Sequence, residues 1–268
     1  MRLFDSHAHL QDAQWATGAI RSEMLHRARS AGVEAVVVPA VTPQDWDSLN
    51  MHFCASEEKD LIPRVFFALG VHPHALPGLD SAGDQELLAR LDRLFSNDRR
   101  DVVAVGECGL DYGIAVPRER QQRIVTAQIQ LAVRANLPLI LHCVRAHDDL
   151  LALLEAHDAP PSVLHGFTGS AETAARWTRA GHYLGLGGMI TRPQARRVRA
   201  AAASIDARRL LIETDAPDQT PLARRPARNE PSFLPDIVQS LAELRGQSAA
   251  HIAALTWANA ARLFRIPS

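Results

Sequence analysis

Lysine is almost missing from this chain: Lys59 is the one copy among 29 basic residues. Schiff-base chemistry, or a carboxylated lysine bridging two metals, would have to use it. Lys59 sits in the polar run Ser56-Glu57-Glu58-Lys59-Asp60, a poor place for either. Cysteine is scarce too. Cys54, Cys108 and Cys143 are odd in number and widely spaced, which fits a reducing compartment better than a disulfide framework. Neither sign of charge is in excess. With a formal net charge of −1, no global basic field advertises nucleic-acid binding, and any such contact has to be a local patch. Aromatic residues make up 5% of the chain, so no stacking platform for single strands is evident. No run approaches about eighteen apolar residues, and the N-terminus carries no basic-then-apolar signal pattern. These absences together predict a cytoplasmic protein without a membrane contact.

What is present is a core-forming chain of one repeating architecture. Its 268 residues are 47% hydrophobic, enough for a large core in a single domain over 1–268. Strand-like apolar runs end in Leu3-Phe4, Val33–Pro39, 62–70, Val102–Glu107, Leu137–His142, Ser162–His165, His182–Gly187 and Leu210–Asp215. Helical spacing fills the gaps at about 19–31, from Thr42 (N-cap) to Lys59, and at 84–96, 117–135, 145–157, 170–180 and from Pro193. A Pro/Arg-rich loop over 216–230 leads to helices at 231–244 and 248–257 and a short last one. Eight strand-then-helix units predict an α/β fold, a (β/α)8 TIM barrel. A doubly wound open sheet is the alternative, but the Gly-rich phosphate loop it usually carries after strand one is absent.

The barrel frame collects otherwise scattered polar residues at strand ends: His7 and His9 on strand one, Glu107 on four, His142 on five, His165 on six and Asp215 on eight. His7 and His9, two apart on an extended chain, point the same way and can grip one ion. Active sites of such barrels assemble at the C-terminal rim, so these side chains are expected to converge. Four imidazoles and two carboxylates suffice for two divalent ions sharing a carboxylate, and Glu107 is the candidate bridge. Taken singly, a histidine ending a strand is a hydrogen-bonded rim residue more often than a ligand. The joint pattern outweighs that, because burying such groups without a partner is costly. His72, His74, Asp111 and Arg145 are secondary candidates for substrate contact, Asp111 alternatively pinning a histidine. Glu213 shares the inward face of Asp215 and reads as a supporting carboxylate, while Cys108 and Cys143 read as small core residues.

The segments Phe4-Asp5-Ser6-His7-Ala8-His9, Gly70-Val71-His72-Pro73, Val105-Gly106-Glu107-Cys108-Gly109-Leu110-Asp111, Leu141-His142, Val163-Leu164-His165-Gly166-Phe167-Thr168-Gly169 and Ile212-Glu213-Thr214-Asp215-Ala216-Pro217 resemble the TatD family of metal-dependent nucleases, within the amidohydrolase superfamily. The resemblance runs the full length in the same order. Arg145-Ala146-His147-Asp148 and Leu186-Gly187-Gly188-Met189-Ile190-Thr191 are similar to the YjjV-type subgroup. The resemblance implies one metal held by His7, His9, Glu107 and Asp215, and a second by Glu107, His142 and His165. It implies zinc, magnesium or manganese; the histidine-rich set favours zinc, nickel or manganese over magnesium. Many members read His-x-Arg after strand five, whereas here Val144 stands at that position and Arg145 follows.

These parts predict hydrolysis by a metal-activated water, with Asp215 accepting its proton and Glu107 bridging the ions. The resemblance implies a 3′-5′ exodeoxyribonuclease acting on nucleic-acid ends, most naturally single-stranded DNA. An ester or amide hydrolase, such as a D-aminoacyl-tRNA deacylase, is a second enzyme reading. A non-catalytic, metal-stabilised barrel serving as an interaction module is a third. The self-contained barrel predicts a monomer.

Overall fold

The short apolar runs become eight parallel strands in the computed structural model, which describes residues 1–12, 15, 18–47, 49, 63–96 and 101–266. They are β1 (Leu3–Asp5), β2 (Val33–Pro39), β3 (Arg64–Leu69), β4 (Val102–Asp111), β5 (Leu139–Val144), β6 (Val163–Leu164), β7 (Tyr183–Leu186) and β8 (Leu210–Ile212), hydrogen-bonded in sequence order. Among the described residues, the helices with complete bounds are α1 (Gly18–Ser30), α2 (Asp84–Phe95), α3 (Arg118–Ala135), α4 (His147–Ala156), α5 (Ala171–Arg179), α6 (Arg196–Ser204), α7 (Leu234–Arg245) and α8 (Ala249–Phe264). Consecutive parallel strands each need a crossover, and the helices supply it. β8 returns to β1 through Ser6 N–H, which donates to the Ile212 carbonyl at 3.1 Å, and Asp215 N–H, which donates to the His7 carbonyl at 2.9 Å. The nearly closed barrel is the fold the sequence predicts.

Two apolar layers hold it. Alternating strand residues Phe4, Val37, Phe66, Ala104, Ile140 and Leu211 share one cluster inside the barrel, and it includes Leu263 and Phe264 of α8. Phe264 stacks on Phe4 with ring centroids 5.9 Å apart, so α8 plugs the N-terminal mouth. The larger cluster lies between strands and helices, where α3 presents Ile124, Val125, Ile129 and Ala132 at helical spacing. α3 stops at Asn136, whose φ of 52° makes the left-handed cap a helix end favours. With one mouth plugged, the C-terminal mouth is the open end.

Several sequence-based boundaries shift. The helix expected from Thr42 begins at Asp45, and its expected course from 50 on, with Cys54 and Lys59, lies outside the described residues. Thr42 does not cap it: Asp45 Oδ2 accepts the Val41 and Thr42 N–H groups at 2.9 and 2.8 Å and fixes the turn itself. β4 continues four residues past Glu107 to Asp111. The two helices expected after 248 are the single α8, because nothing between Trp257 and Arg262 interrupts its turns.

Candidate metal centre

Each strand end delivers its side chain by a local device. β4 carries a register shift against β5 between Val105 and Cys108, a bulge that aims Glu107 into the barrel mouth. Cys108 then turns outward, its Sγ 3.8 Å from the Ile140 carbonyl, and burial pushes its thiol up. Two buried glutamines of α3 hold neighbouring backbone. Gln128 Oε1 accepts Val71 N–H at 2.8 Å just before His72, and Gln121 pairs with both the N–H and the carbonyl of Asp111. Neither glutamine was singled out from sequence; a polar residue on the buried stripe of a long helix is the signal that was available.

The six strand-end residues converge. His7 Nε2 lies 3.1 Å from His9 Nε2, 3.3 Å from Glu107 Oε2 and 3.6 Å from Asp215 Oδ1. His9 Nε2 is 3.6 Å from Glu107 Oε2 and 3.7 Å from Asp215 Oδ1. Four donors about 2.0–2.1 Å from one ion at tetrahedral corners lie about 3.3–3.4 Å apart, so this quartet has the spacing of a single coordination sphere. The other oxygen of the same carboxylate, Glu107 Oε1, lies 3.3 Å from His142 Nδ1 and 2.7 Å from His165 Nε2, with 3.4 Å between the two imidazoles. Glu107 Oε1 and the Nδ1 atoms of His7, His9 and His165 are buried without hydrogen-bond partners. Of these orphaned atoms Glu107 Oε1 lies among the donors, and the Nε2 atoms of the same three histidines face it and its partner oxygen; such a set of nitrogen and carboxylate donors fits divalent cations of the zinc type.

The electrostatics agree with a cation seat. Burial pushes the Glu107 carboxyl up, but the surrounding imidazoles of His165, His72, His7 and His142 hold it well below the usual carboxylate range. Burial, together with the neighbouring His165, pushes His7 down to about 4, leaving its imidazole neutral and able to donate a lone pair. Burial would lower His165 too, yet Glu107, Asp215 and Glu213 push it up to about 10. Glu213 is fully buried behind it, accepting the Gly166 N–H at 2.5 Å and the Ser6 hydroxyl at 3.2 Å, and burial raises its carboxyl to about 8.

The secondary candidates divide. His72, expected at the substrate, packs its Nε2 3.0 Å from Glu107 Oε1 and is nearly buried. Asp111 accepts from His74 Nε2 at 2.7 Å and lies 3.4 Å from His142 Nε2, with its other oxygen on Gly113 N–H at 2.7 Å. That arrangement leaves His142 Nδ1 free to face Glu107, so Asp111 pins the imidazole. Arg145, at φ 55°, is not brought to this cavity; it lines a separate pocket with Tyr112, Arg118, His147 and Arg176. The cavity over the donors has a volume of about 490 Å³, and Asp12, Asp45 and Asp218 stand on its walls with no arginine or lysine among the described residues. Cys143 lies 3.5 Å from His147 Nδ1, and burial pushes its thiol up to about 12, which removes it as a nucleophile.

The chain matches the family model described as TatD related DNase over residues 4–265. It is 37% identical over 267 residues to the metal-dependent hydrolase YabD of Bacillus subtilis, covering 98% of this chain and 99% of that one. It is 39% identical over 253 residues to the 3'-5' ssDNA/RNA exonuclease TatD of Cronobacter sakazakii, covering 91% of each. The crystal structure of YjjV from Escherichia coli superposes with a TM-score of 0.89 at 34% identity, over 99% of both chains. An amidohydrolase of Saccharomyces cerevisiae shares the fold, with a TM-score of 0.82 at 20% identity.

Proposed function

The chain belongs to the TatD family of metal-dependent hydrolases, and from that premise we propose that it is a two-metal phosphodiesterase removing nucleotides from the 3′ ends of single-stranded nucleic acid. One observation carries the reading: the two oxygens of Glu107 face different donors, Oε2 facing His7 and His9, which also meet Asp215, and Oε1 facing His142 and His165. In this reading the first set would hold one divalent ion and the second would hold its neighbour, with zinc the ion best matched to the imidazoles and manganese, nickel or magnesium as alternatives. When bound, such ions polarise a phosphoryl oxygen and make water acidic near neutral pH.

The chain's own residues do the rest. Asp215, at the cavity wall, orients the attacking water and takes its proton on a carboxylate oxygen. Asp111 keeps His142 turned toward Glu107, and His72 adds a buried imidazole against the bridging carboxylate. Arg145 and Arg118 line a second pocket together with Asp148 and Asp149, and in this reading they would grip a phosphate of the strand beyond the scissile bond. The names of the exonuclease relatives support single-stranded DNA or RNA as the substrate class.

The acidic wall of the cavity favours a second reading. Asp12, Asp45 and Asp218 suit an α-ammonium group, as on an aminoacyl ester, better than a run of phosphates. A metal-reconstituted panel decides between them: 3′-end-labelled single- and double-stranded DNA, RNA, and D-aminoacyl-tRNA, each with the Asp215→Asn control. Release of mononucleotides from single strands, lost in the control, supports the exonuclease. Amino-acid release without nucleotide release supports the esterase, and hydrolysis surviving in the control overturns the site.

A further inference from the structure

The turn after β8 contains a residue that neither the donor set nor the Pro/Arg-rich character of the loop explains. Gln219 Nε2 donates to Asp215 Oδ2 at 2.7 Å, while Asp215 Oδ1 faces His7 and His9. One carboxylate oxygen is thus held by an amide and the other is left for the cavity. Both residues sit at positive φ, 57° for Asp215 and 54° for Gln219, a backbone region side chains rarely adopt. Such conformations persist where the surroundings over-determine them, and here the surroundings can be named.

The Leu186-Gly187-Gly188-Met189-Ile190-Thr191 turn after β7 is the seat. A Cβ on Gly188 would overlap the Gln219 carbonyl oxygen, and one on Gly187 would stand 3.2 Å from Gln219 Oε1. Thr191 Oγ1 accepts Leu222 N–H at 2.9 Å and pins the far side of the loop. Fully buried Asn229 ties its base, donating to the Thr214 carbonyl at 2.7 Å and the Asp218 carbonyl at 2.5 Å. A carboxylate with no fixed partner rotates and presents either oxygen; one held on Oδ2 presents Oδ1 only.

The geometry points to Gln219 as a positioning residue that locks the Asp215 carboxylate toward the first ion, with the Gly187–Gly188 pair serving as its docking seat. This rests on the reading that Asp215 helps to hold that ion. The test is zinc affinity of metal-free protein, measured by competition with a chromogenic chelator, for wild type, Gln219→Leu, Asp215→Asn and the double variant. Gln219→Leu is expected to weaken zinc binding about 10–100-fold, the usual cost of removing a residue that orients a ligand. In the Asp215→Asn background the same change is expected to cost nothing further, because it acts through the lost carboxylate. An unchanged affinity, or losses that multiply in the double variant, overturns the proposal. So does a lowered melting temperature of the metal-free protein with zinc affinity intact. If Gln219→Leu does not fold, Gln219→Met is measured in the same cycle. An Asp215→Asn variant that binds zinc like wild type overturns the ligand reading itself, a separate failure from that of Gln219.

Discussion

Glu107 is the residue on which both halves of the centre depend. Its side chain is 2% exposed, and an isolated buried carboxylate would be protonated. Here burial is outweighed by surrounding imidazoles, so the charge stays, and each oxygen meets a different donor set. Glu107→Gln keeps the volume and removes that charge. Under the proposed two-ion reading, bound metal is expected to fall from two ions to fewer than one per chain by elemental analysis. Hydrolysis is expected to drop by about 10³-fold or more, the order lost with a catalytic group and its cofactor. Retention of two ions would show that the histidines alone hold them. This much was legible in the sequence, because histidines and carboxylates at strand ends stand out against apolar runs. Gln219 was not legible. A neutral amide in a loop carries no such contrast, and its role exists only once the β7 and β8 turns meet.

Elements carry two further consequences. α8 closes the barrel mouth opposite the candidate site, with Leu263 and Phe264 packed among interior strand residues. Phe264→Ala is expected to cost about 3–5 kcal/mol in urea denaturation while leaving metal stoichiometry unchanged. A loss of metal would mean that the two mouths are coupled. The second consequence lies at the start of β7. His182 is buried, its Nδ1 accepts the Ser162 N–H at 3.3 Å, and burial, aided by Arg209, pushes it down to about 4. A histidine depressed in the fold stays neutral there while the unfolded chain takes up a proton. Its contribution is full above the unfolded value near 6.5 and is lost as pH falls toward 4. Relative to a His182→Gln variant, wild type is expected to lose about 1.4 kcal/mol per pH unit across that window. Parallel pH profiles for the two proteins would contradict this. Element types were readable from apolar periodicity. Ends were less so, since β4 runs on past its bulge and α8 runs through a stretch with no breaker but no strong stripe.

At the scale of the molecule, the barrel has one seam. Neighbouring strands from β1 to β8 pair by parallel ladders, some with a local register shift, whereas β8 meets β1 through a few bonds at and beyond the strand ends. Asp5 is the main stitch: its carboxylate accepts the Thr214 N–H at 2.9 Å and the Thr214 hydroxyl at 2.5 Å, and burial raises it to about 7. His9 N–H adds a bond to the Ala216 carbonyl at 2.7 Å. His7, His9 and Asp215 lie across this same seam, so an ion held by them ties the first strand to the last. A ligand present at one hundred times its dissociation constant adds about 2.7 kcal/mol to a fold that alone binds it. In a chain of this size that amounts to about 5 °C of melting temperature. Chelation is therefore expected to lower the midpoint by that order, and added zinc to restore it. Hydrogen exchange locates the effect. Amides of residues 3–9 and 212–216 are expected to lose protection on chelation, while those of the long β4–β5 pair keep theirs. Protection lost evenly around the barrel, or not at all, would show that the ions do not close the seam and that Asp5 and Thr214 suffice.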